Sequence, residues 1–82
     1  MDRFLAVSTF AKVVELGSFA RAAERIGLST AAVSRQVSEL ESHLNVRLLN
    51  RTTRRLSLPE AGQYFYEHSV QLLSDLEDAE AS

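Results

Sequence analysis

The 82-residue chain contains no cysteine. That absence excludes disulfides and cysteine-ligated zinc together, and suits a reducing, cytoplasmic compartment. No uninterrupted apolar stretch approaches the roughly 18 residues needed to span a bilayer, so no membrane partner is expected. The first residues lack a basic region followed by an apolar run, and no secretory leader is expected. No internal repeat, low-complexity tract or flexible linker interrupts the chain. One small domain with a single core is the most this length allows, and a 45% hydrophobic content is ordinary for a globular chain.

Catalytic sets are missing too. His43 and His68 stand alone among polar helix positions, and no His, Asp or Glu spacing suggests a metal. Glu39 and Glu41 fall on different sides of one helix and cannot act as a facing acid pair. His43, close to a helix end, reads as a favourable cation at a C-terminus. The chain is not expected to be an enzyme.

What is present is an uneven charge. The net value is −2, yet residues 17–58 carry seven arginines against three glutamates, and residues 59–82 hold six acids with no lysine or arginine. Four of the arginines lie between Arg47 and Arg55 with no acid among them. A basic contact surface with an acidic segment attached is the reading, and phosphate is a natural partner for the clustered arginines.

The basic part carries two amphipathic segments joined by a glycine turn. A first helix is predicted from Asp2, a good N-cap, to about Leu16, with Phe4, Val7, Phe10, Ala11 and Val14 on one face. Gly17 ends it, and Ser18 caps a short second helix that buries Phe19, Ala22, Ala23 and Ile26. The alanine pair suits close helix packing, though helix propensity alone would also explain it. Gly27 and Leu28 form the turn, Ser29 caps the third helix, and Asn45 follows its end. Val33, Val37, Leu40 and Leu44 make one stripe of that helix. Its opposite side presents Ala31, Ser34, Arg35, Ser38 and Ser42. Small residues let a helix approach base edges, hydroxyls offer hydrogen bonds, and arginine reaches guanine or phosphate. This is a helix-turn-helix pattern, over about residues 18–44.

Residues 46–58 read as two short strands of a hairpin around Thr52-Thr53, with Leu56 and Leu58 pointing inward. A basic hairpin directly after a helix-turn-helix is a wing, whose arginines would follow the DNA backbone or enter the minor groove. The fold class is thus mainly α: a winged helix-turn-helix over residues 1–58, of three helices and a hairpin, then a long linker helix over 59–82. In that last helix Phe65, Ser69, Leu72, Leu76 and Ala79 recur in steps of four and three, with Tyr66, Val70 and Leu73 alongside. The spacing suits a two-helix seam, and the domain has little core left to cover it, so a homodimer through this helix is expected. The alternative is that Phe65 and Tyr66 fold back onto the first helix while the remainder frays.

A protein-interaction module is the competing class, with the acidic last helix as its working part. Such a surface would favour aromatic, methionine or leucine anchors on the third helix, where serine and alanine stand instead. RNA is disfavoured, since no aromatic platform is evident and an A-form major groove excludes a helix.

These residues resemble the N-terminal DNA-binding domain of LysR-type transcriptional regulators. The resemblance is carried by Phe10, Val14, Gly17-Ser18-Phe19, Ala22-Ala23, Ser29, Val33-Ser34-Arg35-Gln36-Val37 and Leu40-Glu41. It continues through Leu48-Leu49-Asn50-Arg51, Arg54, Leu56-Ser57-Leu58 and Glu60-Ala61-Gly62. It implies an antiparallel pair of linker helices and a C-terminal effector domain beyond this chain. Any small-molecule inducer would bind that effector domain, a tetramer is possible for the full-length protein, and this domain itself needs no cofactor. Thr30, Ala31, Ser34 and Arg35 would then sit in the major groove, and Arg51 and Arg54 would contact the backbone or minor groove. The full expected DNA-contacting set adds Ser29, Ser38, Thr53 and Arg55, and the expected dimer set is Phe65, Ser69, Leu72, Leu73, Leu76 and Ala79. Thr30 stands where many members have glutamine, Asn45 where glycine is usual, and Pro59 where a threonine usually caps the linker helix.

Overall fold

The computed structural model of the protein describes residues 1–51 and 55–82. In chain order the described elements are α1 (Arg3–Leu16), α2 (Phe19–Ile26), α3 (Thr30–Leu44), β1 (Asn50–Arg51), β2 (Leu56–Ser57) and α4 (Glu60–Ala81). Three helix starts are capped as their sequence predicts. The Asp2 carboxylate accepts the Leu5 amide, Ser18 Oγ accepts that of Arg21, and Ser29 Oγ that of Ala32, each at 3.1 Å. Each cap of this kind contributes about 1 kcal/mol. Pro59 precedes α4 without a side-chain cap, because proline carries no acceptor there.

The turn of the helix-turn-helix rests on Gly27, which has φ 87° and donates its amide to the Ala23 carbonyl at 2.8 Å. Nothing lies within 4 Å of where a Cβ would sit, so a side chain would cost backbone strain alone. Gly27→Ala is expected to destabilise the protein by about 1 kcal/mol. A thermal melt coincident with the wild type would contradict this. Asn45 takes the corresponding left-handed position after α3, at φ 56°.

Helices α1, α2 and α3 pack around Ala6, Phe10, Val13, Ala22, Ala23, Val33, Val37 and Leu40, with Leu48 and Leu49 closing the core from the following segment. Ala22 and Ala23 are buried, so α2 approaches its neighbours where its side chains are smallest. The buried face of α1 departs from the expected one. It centres on Ala6, Thr9, Phe10 and Val13, while Phe4 is 55% exposed. The reason is that α1 packs against three helices, α2, α3 and α4, so its buried arc is wider than a single stripe and leaves Phe4 outside it. Leu44, expected to be buried, is likewise exposed where α3 runs out beyond the core.

The hairpin is shorter than predicted: Asn50 pairs with Ser57 and Arg51 with Leu56, antiparallel. The expected turn at Thr52-Thr53 lies outside the described residues. Leu56 and Leu58 are half-buried against the core as expected. Leu48 and Leu49, in contrast, are buried consecutively rather than alternately, because this stretch is not a strand.

Helix α4 leaves the wing in tight contact with it. A Cβ on Gly62 would collide with the main-chain carbonyl of Leu48, so only glycine lets the helix pass this close. Beyond it, the Phe65 and Tyr66 rings meet Phe10 edge-on at centroid distances of 5.7 and 6.4 Å. Ser69 is 3% exposed and donates its hydroxyl to the Phe65 carbonyl at 2.7 Å. Of the predicted seam residues, Ser69 is thus buried within the chain, and Phe65 is half-buried, one part of its ring against Phe10 of α1. A boundary at 58/59 therefore does not separate two packing units, since the first turns of α4 belong to the same core. The helix nevertheless continues to Ala81 rather than fraying after its aromatic pair. Among the described residues, no helix is long and apolar enough to cross a membrane.

Candidate nucleic-acid interface

The core packing of Val33, Val37 and Leu40 fixes which way α3 points its other side. Ala31, Arg35, Ser38 and Ser42 are exposed there and Ser34 is half-buried, with Ser29 and Thr30 exposed at the helix start. The result is a convex ridge of small side chains with one long cation. The unpaired amides at the start of α3 add partial positive charge at that end. Arg21 and Arg25 on α2, and Arg47 and Arg55 around the wing, are exposed beside it. Thr53 and Arg54, both expected to touch DNA, lie outside the described residues.

Arg51 is placed differently from expectation. Its guanidinium does not extend from the wing but turns back along α3. It donates to Ser34 Oγ at 3.0 Å and Ser38 Oγ at 3.2 Å, and approaches the Ser34 carbonyl at 3.4 Å. Glu41 Oε1 lies 3.6 Å away, and the Phe19 ring sits beneath the group at 4.8 Å from its centroid. The other Glu41 oxygen accepts the amides of Leu48 and Leu49, at 2.8 and 3.1 Å. A single carboxylate thus clasps the wing to α3. Sequence reasoning misses Glu41 as a functional residue. The one signal in the sequence is that Ser34, Ser38 and Glu41 recur at i, i+4 and i+7, one line along the flank facing the wing.

A second surface lies between α1 and α4. Leu72 is 57% and Leu76 38% exposed, Leu73 is half-buried and Ala79 is exposed. Phe4, Tyr66, Val70, Leu73 and Leu76 line an open groove of mixed character, with Glu77, Glu80 and the Lys12–Glu15 ion pair, 3.2 Å long, also among its lining residues. Of the six predicted seam residues, Leu72, Leu76 and Ala79 are exposed, Leu73 and Phe65 are half-buried, and Ser69 is buried.

Comparison with known proteins gives this geometry a family. The profile described as "Bacterial regulatory helix-turn-helix protein, lysR family" matches residues 4–63. An HTH-type transcriptional repressor of Pseudomonas aeruginosa is 51% identical over 82 residues, all of this chain and 26% of that protein. The HTH-type transcriptional activator AaeR of Escherichia coli is 45% identical over 78 residues, 95% of this chain and 25% of that protein. The chain therefore spans about a quarter of the length of the curated relatives it matches. Among solved structures, the BenM DBD in its complex with benA site 1 DNA superposes with a TM-score of 0.92 at 31% identity, covering 99% of this chain and 90% of that one. Full-length CbnR complexed with its target DNA gives 0.87 at 33% identity, covering 99% of this chain and 28% of that one. With a family profile spanning most of the chain and the same winged architecture in its structural neighbours, this chain belongs to the LysR family of bacterial regulatory helix-turn-helix proteins.

Proposed function

We propose that this chain is the DNA-reading part of a cytoplasmic transcriptional regulator, acting by binding rather than catalysis. It binds a partly palindromic duplex as a homodimer, with α3 in the major groove and the wing on the backbone or in the minor groove. The observation that carries this reading is the exposed face of α3, where Arg35 projects from a ridge of alanine and serine. Such a ridge fits a groove about 12 Å wide, which a helix bearing large apolar anchors would not enter as readily. The DNA complexes of BenM and CbnR, similar over 99% of this chain, support it. In the long regulator to which the family resemblance points, signal sensing would fall to another domain, and this part would need no cofactor.

The test uses Arg35. Arg35→Ala is expected to cost about 1–3 kcal/mol on the preferred site and clearly less on random duplex, as a lost base contact does. The preferred site comes from sequencing duplexes enriched from a random pool, and affinities from titration of labelled DNA. Equal losses on both duplexes would move Arg35 from base reading to backbone contact. Wild-type protein that bound no duplex would end the DNA reading itself.

A further inference from the structure

The Arg51 cluster has a chemical consequence for α3. A serine hydroxyl carries one donor hydrogen and two acceptor lone pairs, so in a groove it can pair with either kind of base atom. Guanidinium is different, since its five N–H groups donate and none accepts. Arg51 donates to Ser34 Oγ and to Ser38 Oγ, so a lone pair on each is occupied from within the protein. The same cation repels the hydroxyl hydrogen, so each O–H points away from the guanidinium. Arg51 is itself held in place by Glu41 and by the Phe19 ring, and its side chain is only 31% exposed.

Building on the DNA-binding reading above, we propose that Arg51 is a specificity-determining positioning residue that sets the Ser34 and Ser38 hydroxyls as hydrogen-bond donors. At these two positions α3 then meets acceptor atoms on DNA. Those are guanine O6 and N7, adenine N7 and thymine O4 on base edges, or phosphate oxygens. The exocyclic amines of cytosine and adenine, which donate, are disfavoured there. Arg51 acts through the two serines and is not itself a phosphate contact.

The experiment compares wild type, Arg51→Met, Ser34→Ala/Ser38→Ala and the triple variant. Each is assayed for base preference by sequencing of an enriched random duplex pool, and for affinity on the preferred and a random duplex at several salt concentrations. Arg51→Met is expected to weaken the preferred site about a hundredfold, a hydrogen-bond-sized loss at each of the four serines of a dimer, and the random duplex by less than about threefold. Its pool should admit cytosine or adenine amines at the positions where Ser34→Ala/Ser38→Ala loses preference, with an unchanged log–log salt slope. In the double-serine background, adding Arg51→Met should cost almost nothing further on the preferred site.

Equal losses on both duplexes with a slope shallower by about 2 per dimer would make Arg51 a phosphate contact and overturn the proposal. Equal losses with an unchanged slope and an unchanged base preference would reduce Arg51 to a structural role and overturn it as well. If Arg51→Met melts below the assay temperature, Arg51→Lys carries the test. Lysine keeps the charge but lacks the fork that spans both serines, so preference should relax at one serine position, and a wild-type pool would count against the proposal. Wild-type protein that enriched no preferred site would instead defeat the DNA-reading function beneath it, a result distinct from all of these.

Discussion

Glu41→Ala is expected to destabilise the protein by about 3 kcal/mol, while Glu41→Gln costs about 1 kcal/mol. The difference follows from what the carboxylate does. One oxygen accepts two main-chain amides, Leu48 at 2.8 Å and Leu49 at 3.1 Å, and the other faces Arg51 at 3.6 Å. Alanine leaves both amides unpaired above two fully buried leucines, where each unsatisfied donor costs roughly 1–3 kcal/mol. Glutamine can still offer one oxygen to both amides, but it loses the charge and turns an NH2 donor toward the Arg51 guanidinium. The Glu41 side chain is 18% exposed, so water replaces a small part of what alanine removes. Because the clasped segment carries the wing, DNA affinity at a temperature where every variant is folded should fall in the same order. Melting curves of the three proteins check this. An alanine variant as stable as the wild type, or a glutamine variant as weak as alanine, would show that the clasp contributes little.

Features set by near neighbours along the chain are legible in the residues themselves. Asp2, Ser18 and Ser29 cap within three residues of themselves, and Gly27 and Asn45 answer a local backbone demand. The periodicity of α3 identifies its inner stripe because Val33, Val37 and Leu40 all meet the core that α1 and α2 share, except at Leu44, which is exposed. Periodicity fails on α1 and α4 for a shared reason. A stripe marks which residues want burial but not which of two neighbours buries them, and α1 and the start of α4 bury one another through Phe10, Phe65 and Tyr66. By composition Arg51 reads as a solvent-facing wing cation. Its partners Ser34 and Ser38 lie 17 and 13 residues earlier, a separation that no local pattern encodes. The same holds for Glu41, whose role appears only once the chain has turned back to present two amides to it.

The largest functional effect is expected from Leu72→Asp combined with Leu76→Asp. With Ser69 buried and Phe65 half-buried against Phe10, the apolar surface left for a partner includes Leu72, Leu76 and half-buried Leu73, the last two lining a groove with exposed Phe4 and Val70. Among the described residues no other element covers it, and α4 still runs on to Ala81. A helix projecting beyond its own core in this way is marginal in water without a partner. A second copy meeting it in parallel would set Asp75, Glu77, Asp78 and Glu80 against their own duplicates, and like charges at close range repel. An antiparallel copy moves those four acids toward the half of α4 that carries only Glu60 and Glu67, so antiparallel pairing is favoured. Sedimentation at micromolar concentration should show a wild-type dimer and a double variant that is monomeric yet folded, since neither leucine belongs to the core. On a duplex with two half-sites, the variant loses the linkage that makes the second contact intramolecular, and apparent affinity should fall at least about a hundredfold. Its log–log salt slope should drop to about half, because one protomer displaces half the counterions. On a duplex with a single half-site, the two proteins should bind alike. A wild-type chain that stays monomeric at every concentration, or a double variant that still sediments as a dimer, would place the self-association surface elsewhere.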